Sequence, residues 1–331
     1  MDSFVAKNLI GATSIPVKLT RSLEEYSEFL KAKGTRVVFY VNNSQANFSA
    51  LRFPQVTHVH LNHGESDKTS MVTNQLKAYD FAFVAGEAAI NRVQNALSRY
   101  DLSRLIPIGR PQLDRPSPTA LAAKPSQVIK VLYAPTWEGD SKEMSYSSIS
   151  SLGVDLVREV LDDSRFSLTV RPHPKTGTWS RETNNDLQTI KQQVKHAIRM
   201  NPRAGHCIDS DSDPTDALHQ HDVIVADNSA MTFDAIGLNK PILLAVNETL
   251  LRQASTVHSI ANIVEVLPTI LPGRTENICQ RLAAFCDAPI SEQQTNLRNH
   301  IFGSYELGTG TERFIRSAAD LLPTEGDSTA S

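Results

Sequence analysis

The chain of 331 residues is long enough for two ordinary domains, and its 40% hydrophobic content can fill their cores. Its 33 Lys and Arg against 36 Asp and Glu give a net charge of −3 with no block of like charges, which argues against a basic nucleic-acid-binding surface. The three cysteines lack the paired spacing of a disulfide framework or a zinc site, so a reducing, cytoplasmic interior is expected. No run reaches the roughly 18 apolar residues of a membrane span.

Short β-branched runs alternate with helical patterns along the first half of the chain, which is typical of βα units around a parallel sheet. Helical faces are predicted within residues 23–30 and 89–97, and strands at residues 36–41, 56–61, 81–85 and 105–108. The stretch 110–126 is rich in proline and therefore stiff and non-helical. We place a domain boundary there.

The same rhythm restarts after the boundary, with strands predicted at residues 128–134, 166–171, 223–226 and 241–246. Helices are predicted at residues 149–161, 187–198 and 313–322, and a polar, disordered tail at 324–331. The predicted domains are therefore residues 1–124 and 125–323. Doubly wound α/β sheets bind ligands at the carboxyl ends of their strands, so chemistry is expected in a cleft where strands end.

The first polar cluster at a predicted strand end is His-Gly-Glu-Ser-Asp-Lys, residues 63–68. His63 can act as a general base near neutral pH, and Gly64 permits close approach of the backbone. The helical segment that follows favours an anion at its start. A plain turn with a solvated histidine is the structural alternative.

Two further clusters close the first two strands of the second half. In Tyr-Ala-Pro-Thr-Trp, residues 133–137, Thr136 offers a hydroxyl and a backbone amide, although simple strand termination explains the pattern too. In Arg-Pro-His-Pro, residues 171–174, Arg171 suits phosphate by its charge and forked geometry. A buried structural histidine at His173 is the competing interpretation.

The fourth cluster ends the predicted strand 223–226 with Asp-Asn-Ser, and Ser229 opens a helix. The start of that helix is a ready phosphate site, since its backbone N–H groups have no partner within the helix. Helix capping by Ser229 alone would also explain the residue.

Together these segments resemble the CDP-glycerol glycerophosphotransferase family, which builds teichoic-acid-like polymers. That family carries, in this order, H-G-x-x-x-K, Y-A-P-T-[WF], R-x-H-P, D-x-S-S-x-x-F-D and K-P. The matching positions here are residues 63–68, 133–137, 171–174, 227–234 and 240–241, and residues 109–114 are similar to the family's G-x-P-x-x-D segment. The resemblance spans residues 36–250.

The resemblance implies a GT-B fold: an α/β protein of two Rossmann-like, doubly wound domains with an interdomain cleft. The acceptor side would be residues 1–124 and the donor-nucleotide side residues 125–323, with neither metal nor cofactor. The implied reaction moves an alditol phosphate from a CDP-alditol donor to a hydroxyl of a lipid-linked glycan or polymer acceptor, and it releases CMP. Such work takes place at the inner face of the cell membrane, so association with the membrane surface is an expectation.

The resemblance also implies roles for individual residues. His63 would take the proton from the acceptor hydroxyl, and His173 with Arg171 would steady the donor pyrophosphate. Ser229 would bind the same pyrophosphate with Thr136 nearby. Further donor contacts are predicted for Asp216 and Asp234.

This chain departs from the family in the acceptor-side loop that carries Gly64, Glu65, Asp67 and Lys68. The two carboxylates would raise the pKa of His63 or would bind the hydroxyl groups of an acceptor. The second serine of the usual pair is Ala230, which leaves the alditol of the donor undecided.

Two other functions compete. The spacing of His58, His60 and His63 approaches that of metal-dependent hydrolases, but Asn62 stands where such sites use aspartate. A catalytically silent GT-B module that binds nucleotide as a scaffold is the second alternative. It is supported by Ala230 and by the acidic acceptor-side loop.

Overall fold

The structure, a computed structural model, describes residues 9–42, 44–62, 64–66, 72–115, 128–139, 141, 144–254, 263–275, 277–306 and 308–322. It contains two parallel sheets. The first runs in the order β1-β2-β3-β4 and comprises β1 (Val37–Tyr40), β2 (Thr57–His60), β3 (Phe81–Val84) and β4 (Leu105–Pro107). The second runs in the order β10-β9-β8-β5-β6-β7 and comprises β5 (Ile129–Ala134), β6 (Phe166–Val170), β7 (Cys207–Ile208), β8 (Val223–Ala226), β9 (Ile242–Ala245) and β10 (Thr269–Ile270).

The helices lie between these strands and after them. In the first half they are α1 (Leu23–Ala32), α2 (Gln45–Ala50) and α3 (Glu87–Ala96). In the second half they are α4 (Val154–Leu161), α5 (Arg181–Met200), α6 (Pro214–Gln220), α7 (Ala230–Gly237), α8 (Glu248–Ala254), α9 (Ile278–Asp287), α10 (Glu292–Phe302) and α11 (Gly310–Asp320). In the described ranges, no helix combines the length and the apolar character that crossing a membrane requires.

The second sheet has the strand order of a doubly wound fold. β5 pairs with β6 on one side and with β8 on the other, so the connection reverses direction between β5 and β8. The crevice outside the carboxyl ends of such a pair is where open α/β sheets bind ligands. Among the described strands, the first sheet keeps its sequential order and shows no such reversal.

Strand β8 lies at the centre of the core, and each of its four residues is fully buried. Ile224 and Ala226 pack into one hydrophobic cluster, whereas Val223 and Val225 pack into another on the opposite face. A strand that is covered by helices on both faces needs a continuous apolar run, which the sequence Val-Ile-Val-Ala provides.

The last helix, α11, packs against the first sheet although it follows the second in the chain. Its Phe314 lies 5.2 Å from Phe39 and 5.8 Å from Phe83, measured between ring centroids. The Asp114 carboxylate accepts hydrogen bonds from the first backbone N–H groups of α11. A division of the chain between residues 124 and 125 therefore does not describe the packing of this helix, since its partly buried Phe314 and Ala318 pack on the first sheet.

Candidate active site

A cleft of about 660 Å³ lies between the two sheets, beyond the carboxyl ends of β5, β6 and β8. The first half of the chain lines it with Asn62, Gly64, Glu65, Ser66 and Arg110. From the second half, the predicted site residues Thr136, Arg171, His173, Ser229 and Asp234 reach the same cleft, together with Trp137. The fold thus brings together segments that are far apart in the sequence.

The start of α7 is the part of the cleft best suited to an anion. Ser229 has extended backbone angles at the N-cap, yet its side chain makes no capping hydrogen bond. The Ser229 hydroxyl and both polar atoms of the Asn228 amide are buried without a hydrogen-bond partner. Buried polar groups are almost always hydrogen-bonded, so unpaired ones beside the first N–H groups of a helix point to a ligand. Capping therefore does not explain Ser229.

Asp227, which precedes them, has a structural task instead. One of its carboxylate oxygens accepts hydrogen bonds from the backbone N–H groups of Thr136, at 2.8 Å, and Ser148, at 3.1 Å. These bonds hold the end of β5 beside the end of β8. As a result, Thr136 is fixed at the edge of the cleft, where it is buried.

The turn after β6 presents His173 to the cleft. The backbone N–H of His173 bonds to the Pro135 carbonyl at 3.2 Å, and the N–H of Lys175 donates to Nδ1 of the imidazole at 3.1 Å. In the neutral ring the proton must then be on Nε2, which makes that nitrogen a donor. The ring is stacked on Trp137, with centroids 6.2 Å apart, and the residue is exposed, so it is not a buried structural histidine.

Glu138 organises the same turn and was not predicted from the sequence. Its carboxylate accepts hydrogen bonds from the backbone N–H groups of Gly177, Trp179 and Ser180 at 2.8 to 2.9 Å. Burial alone raises the pKa of this carboxyl, but the backbone hydrogen bonds outweigh it and the net pKa is lowered. The feature of the sequence that could have identified Glu138 is its position directly after the motif at residues 133–137.

Arg171 lies in the cleft wall, but its guanidinium group donates its hydrogen bonds to other groups of the protein. It pairs with Asp209 and donates to the hydroxyl of Ser212 at 2.8 Å and to its carbonyl at 2.6 Å. Partial burial alone raises the pKa of Asp209, but hydrogen bonds from Ser212 and Arg171 lower it from 3.8 to about 2. In this structure Arg171 therefore fixes the loop after β7.

Asp234 forms the clearest link between the two halves. Its two carboxylate oxygens accept a forked pair of hydrogen bonds from Arg110, at 2.8 and 3.1 Å. Arg110 follows β4, so the pair joins the end of the first sheet to α7. Asp216 lies in the first turn of α6 and is not among the described residues that line the cleft. Both residues were predicted as donor contacts, and the structure brings only Asp234 to the cleft.

Gly64 lies beside the start of α7, and Glu65 follows it. A Cβ atom added at Gly64 would lie 3.4 Å from the Cβ of Ala230. The buried Glu65 is paired with Arg92 of α3, whose pKa is lowered by burial to about 10. The Glu65 carboxylate is thus neutralised by a partner that was not predicted. His63, Asp67 and Lys68 lie outside the described residues.

The surroundings of His58 do not favour the metal-dependent hydrolase alternative. The two ring nitrogens of this buried histidine are within hydrogen-bond distance of the Tyr40 hydroxyl, at 2.8 Å, and the Phe53 carbonyl, at 3.0 Å. His60 packs on the ring of Tyr79, with centroids 5.0 Å apart. Among the described residues, no three His, Cys, Asp or Glu are grouped as a metal site would require. Both nitrogens of His58 are therefore engaged within the protein, and the metal-dependent alternative is not favoured.

Comparison with solved structures supports the two-sheet GT-B architecture. A glycosyltransferase from Rickettsia africae matches with a TM-score of 0.52 and 14% identity, over 98% of this chain and 89% of that one. The wall teichoic acid polymerase TagF, soaked with CDPG, matches with a TM-score of 0.57 and 15% identity, over 93% and 78%. MnaA of S. aureus with UDP matches with a TM-score of 0.52 and 14% identity, over 93% and 83%.

The similarity in sequence is to a family. No curated protein matches the chain. The family model described as CDP-Glycerol:Poly(glycerophosphate) glycerophosphotransferase matches residues 16–317, which is most of the chain and includes every segment on which the resemblance rested. The protein belongs to this glycerophosphotransferase family.

Proposed function

We propose that the protein transfers an alditol phosphate, glycerol phosphate or a similar group, from a CDP-alditol donor to a hydroxyl of a glycan or polymer acceptor, with release of CMP. The observation that carries this proposal is the pair of buried, unpartnered polar side chains, Asn228 and Ser229, at the start of α7. Membership of the family and the CDPG soak of TagF support the choice of a CDP-linked donor.

The donor pyrophosphate would lie against the first backbone N–H groups of α7. There the Ser229 hydroxyl donates to one phosphate oxygen, and Nε2 of His173 donates to another from the opposite wall. Negative charge accumulates on the leaving CMP during transfer, and fixed donors at that position lower the barrier. Thr136 completes this side of the donor site.

The acceptor hydroxyl would attack the β-phosphorus of the donor. The new P–O bond forms to the acceptor oxygen, the P–O bond to the CMP phosphate breaks, and the acceptor proton passes to His63. His63 is assigned from the family motif, and its described neighbours Asn62 and Gly64 both line the cleft. General-base catalysis at this position suits a histidine, because its pKa lies near neutral pH.

Arg171 and Asp234 act in this scheme as positioning residues. Arg171 orders the loop that carries Ser210 into the cleft, and Asp234 holds Arg110 at the junction of the two halves. We further propose that the protein works at the inner face of the membrane, as expected for a lipid-linked acceptor. Cell fractionation in the presence of that acceptor tests this location.

The decisive experiment compares Ser229→Ala with Ser291→Ala. Both serines are N-caps, but only the Ser291 hydroxyl accepts a capping hydrogen bond, from the Gln294 N–H at 3.1 Å. Ser291→Ala should therefore cost about 1 kcal/mol of unfolding free energy and leave the affinity for CDP-glycerol unchanged. Ser229→Ala should barely change stability and should weaken donor binding about tenfold or more, since a hydrogen bond to a charged group is lost.

Isothermal titration with CDP-glycerol and CDP-ribitol, together with chemical unfolding, gives both readouts. Equal donor affinity in wild type and Ser229→Ala would contradict the proposed pyrophosphate site. A wild type that binds donor but releases no CMP with any acceptor would favour the silent scaffold instead.

A further inference from the structure

Two contacts orient the imidazole of His173. Its face stacks on the ring of Trp137, with centroids 6.2 Å apart, and its Nδ1 accepts a hydrogen bond from the Lys175 N–H at 3.1 Å. The two contacts come from different segments, since Trp137 follows β5 and Lys175 follows β6. The direction of Nε2, which the proposed function sets against a phosphate oxygen, therefore depends on how these two segments are joined.

Glu138 joins the two segments. It directly follows Trp137 in the sequence, and its carboxylate binds the backbone of the turn after β6. Its Oε2 accepts a hydrogen bond from the Gly177 N–H at 2.9 Å. Its Oε1 accepts hydrogen bonds from the N–H groups of Trp179 and Ser180, at 2.8 and 2.9 Å. These three donors lie within four consecutive residues, so one carboxylate restrains this whole stretch of backbone.

Further hydrogen bonds carry this restraint back to the imidazole. The N–H of Thr178 donates to the Lys175 carbonyl at 3.2 Å, and the Thr178 hydroxyl donates to the same oxygen at 2.7 Å. The N–H of Thr176 donates to the His173 carbonyl at 2.9 Å. If residues 177–180 shifted, Lys175 would shift with them, and its N–H would no longer face Nδ1.

Glu138 is placed to act on the backbone and not on a ligand. Its neighbours Trp137 and Gly139 line the cleft, whereas Glu138 is buried and is not among the described residues that line it. Burial raises the pKa of its carboxyl, but the backbone N–H groups lower the pKa by more, so the group is ionised near neutral pH. Hydrogen bonds to an ionised acceptor are stronger than neutral ones, which suits a fixed turn.

We propose that Glu138 is a positioning residue of the donor site. Its carboxylate ties the segment after β5 to the turn after β6, and it thereby holds both Trp137 and the Lys175 N–H against the imidazole of His173. The role of Glu138 in transfer rests on the proposed function, whereas its effect on the turn does not.

Two alanine variants form the comparison. Glu138→Ala removes the acceptor of three backbone N–H groups in the turn after β6. Asp222→Ala is the matched control, because the Asp222 carboxylate also binds a backbone N–H across two strands of the same sheet, that of Lys130 at 2.8 Å. Asp222 precedes β8 and Lys130 lies at the start of β5, so this contact is at the end of the sheet opposite the cleft.

Amide hydrogen exchange in the free protein reads both contacts. Glu138→Ala should raise the exchange rate of the Lys175 N–H about tenfold, because its hydrogen bond to Nδ1 is lost, and should leave the Lys130 N–H at the wild-type rate. Asp222→Ala should do the reverse. Glu138→Gln, which keeps one acceptor oxygen and the volume of the side chain, should change Lys175 in the same direction by less. Exchange of Lys175 at the wild-type rate in both Glu138 variants would overturn the proposal.

A double-variant cycle tests whether the effect passes through His173. Glu138→Gln should lower kcat/KM for CMP release about tenfold or more, since a small misplacement of a binding group is costly in the transition state. His173→Gln should lower it further, and the variant with both changes should be no slower than His173→Gln alone. Losses that simply multiply would show that Glu138 supports the fold without acting through His173, and they would overturn the proposal.

The outcomes separate this inference from the proposed function. A wild type that releases no CMP from any CDP-alditol would refute the proposed function, and hydrogen exchange at Lys175 would then decide the positioning role alone. A wild type that releases CMP, with kcat/KM unchanged in Glu138→Gln, would uphold the transferase function and refute the role of Glu138.

Discussion

The two cavities of this molecule offer opposite chemistry. In the cleft between the sheets, Asn228 and Ser229 leave polar atoms buried and unpartnered at a helix start, so an anionic ligand would satisfy them. A second cavity, of about 400 Å³, lies in the first half of the chain, where Glu65 and Arg92 pair with each other and the remaining wall is mostly apolar. The first cavity therefore suits an anion, whereas the second offers mainly apolar surface.

The largest expected effect comes from removal of the predicted base, His63. His63→Ala should lower the rate of CMP release by about 10²- to 10⁴-fold, because a general base acts mainly in the transition state. The affinity for CDP-glycerol should stay within about twofold of wild type, because a general base stabilises the transition state and not the bound donor. Steady-state kinetics and isothermal titration give the two numbers.

A matched control is His196→Ala, an exposed histidine on α5 that should change neither quantity. Loss of donor binding in His63→Ala would contradict the role of His63 as the base and would assign it to donor binding instead. Unchanged turnover in His63→Ala would show that His63 is not the catalytic base.

A smaller effect is expected from the ion pair that joins the two halves. Arg110 and Asp234 have side chains that are 11% and 8% exposed, so Arg110→Met should leave a buried, unpaired carboxylate and cost about 3 kcal/mol of unfolding free energy. The double variant Arg110→Met, Asp234→Leu should recover most of that loss. Urea unfolding measures both.

The comparison pair is Arg115 and Asp213, 3.7 Å apart, with side chains that are 76% and 42% exposed. Arg115→Met should change the unfolding free energy by less than about 1 kcal/mol. If the Arg110 and Arg115 variants lose equal stability, the buried pair does not hold the halves together.

The smallest predicted effect concerns the loop that Arg171 orders. The pKa of Asp209 is lowered to about 2 in the folded protein from an ordinary value of 3.8, so the unfolded chain binds the proton more readily between these values. Its stabilising contribution is complete above about pH 4 and is lost as the pH falls towards 2. Asp209→Asn should therefore flatten the fall in unfolding free energy across this range.

Asp211→Asn, at an exposed neighbour, is the control for this experiment and should keep the wild-type slope. Chemical unfolding at pH 5, 4 and 3 supplies the data. An Asp209→Asn profile identical to wild type would show that the loop does not depend on the Arg171 pair.

Much of the fold could be predicted because buried parallel strands are marked by local sequence. Runs such as Val-Ile-Val-Ala at β8 are apolar on both faces, and the eight predicted strands are present. The strands β7 (Cys207–Ile208) and β10 (Thr269–Ile270) were missed, because two residues are too few to show a pattern. Their pairing with β6 and β9 depends on contacts across the sheet.

The candidate site shows the same limit. Thr136, His173 and Ser229 could be found because each directly follows a strand, and strand ends meet at one edge of a parallel sheet. The partners of the charged residues could not be predicted from the sequence, since Arg110 is 124 positions from Asp234 and Arg92 is 27 positions from Glu65. No local sequence motif predicts the mostly apolar cavity in the first half, because its lining residues come from the strands, α3 and α11 together.

The most direct measurement is CMP release by the wild-type protein with CDP-glycerol, CDP-ribitol and a set of nucleotide sugars, each with a soluble glycan and with glycerol 3-phosphate as acceptor. A transferase whose donor site lies at Ser229 should release CMP from at least one CDP-alditol in the presence of acceptor, and Ser229→Ala should lower the rate at sub-saturating donor. The proposed transferase function would be contradicted if neither CDP-alditol released CMP. It would also be contradicted if the nucleotide sugars were turned over as fast as the CDP-alditols.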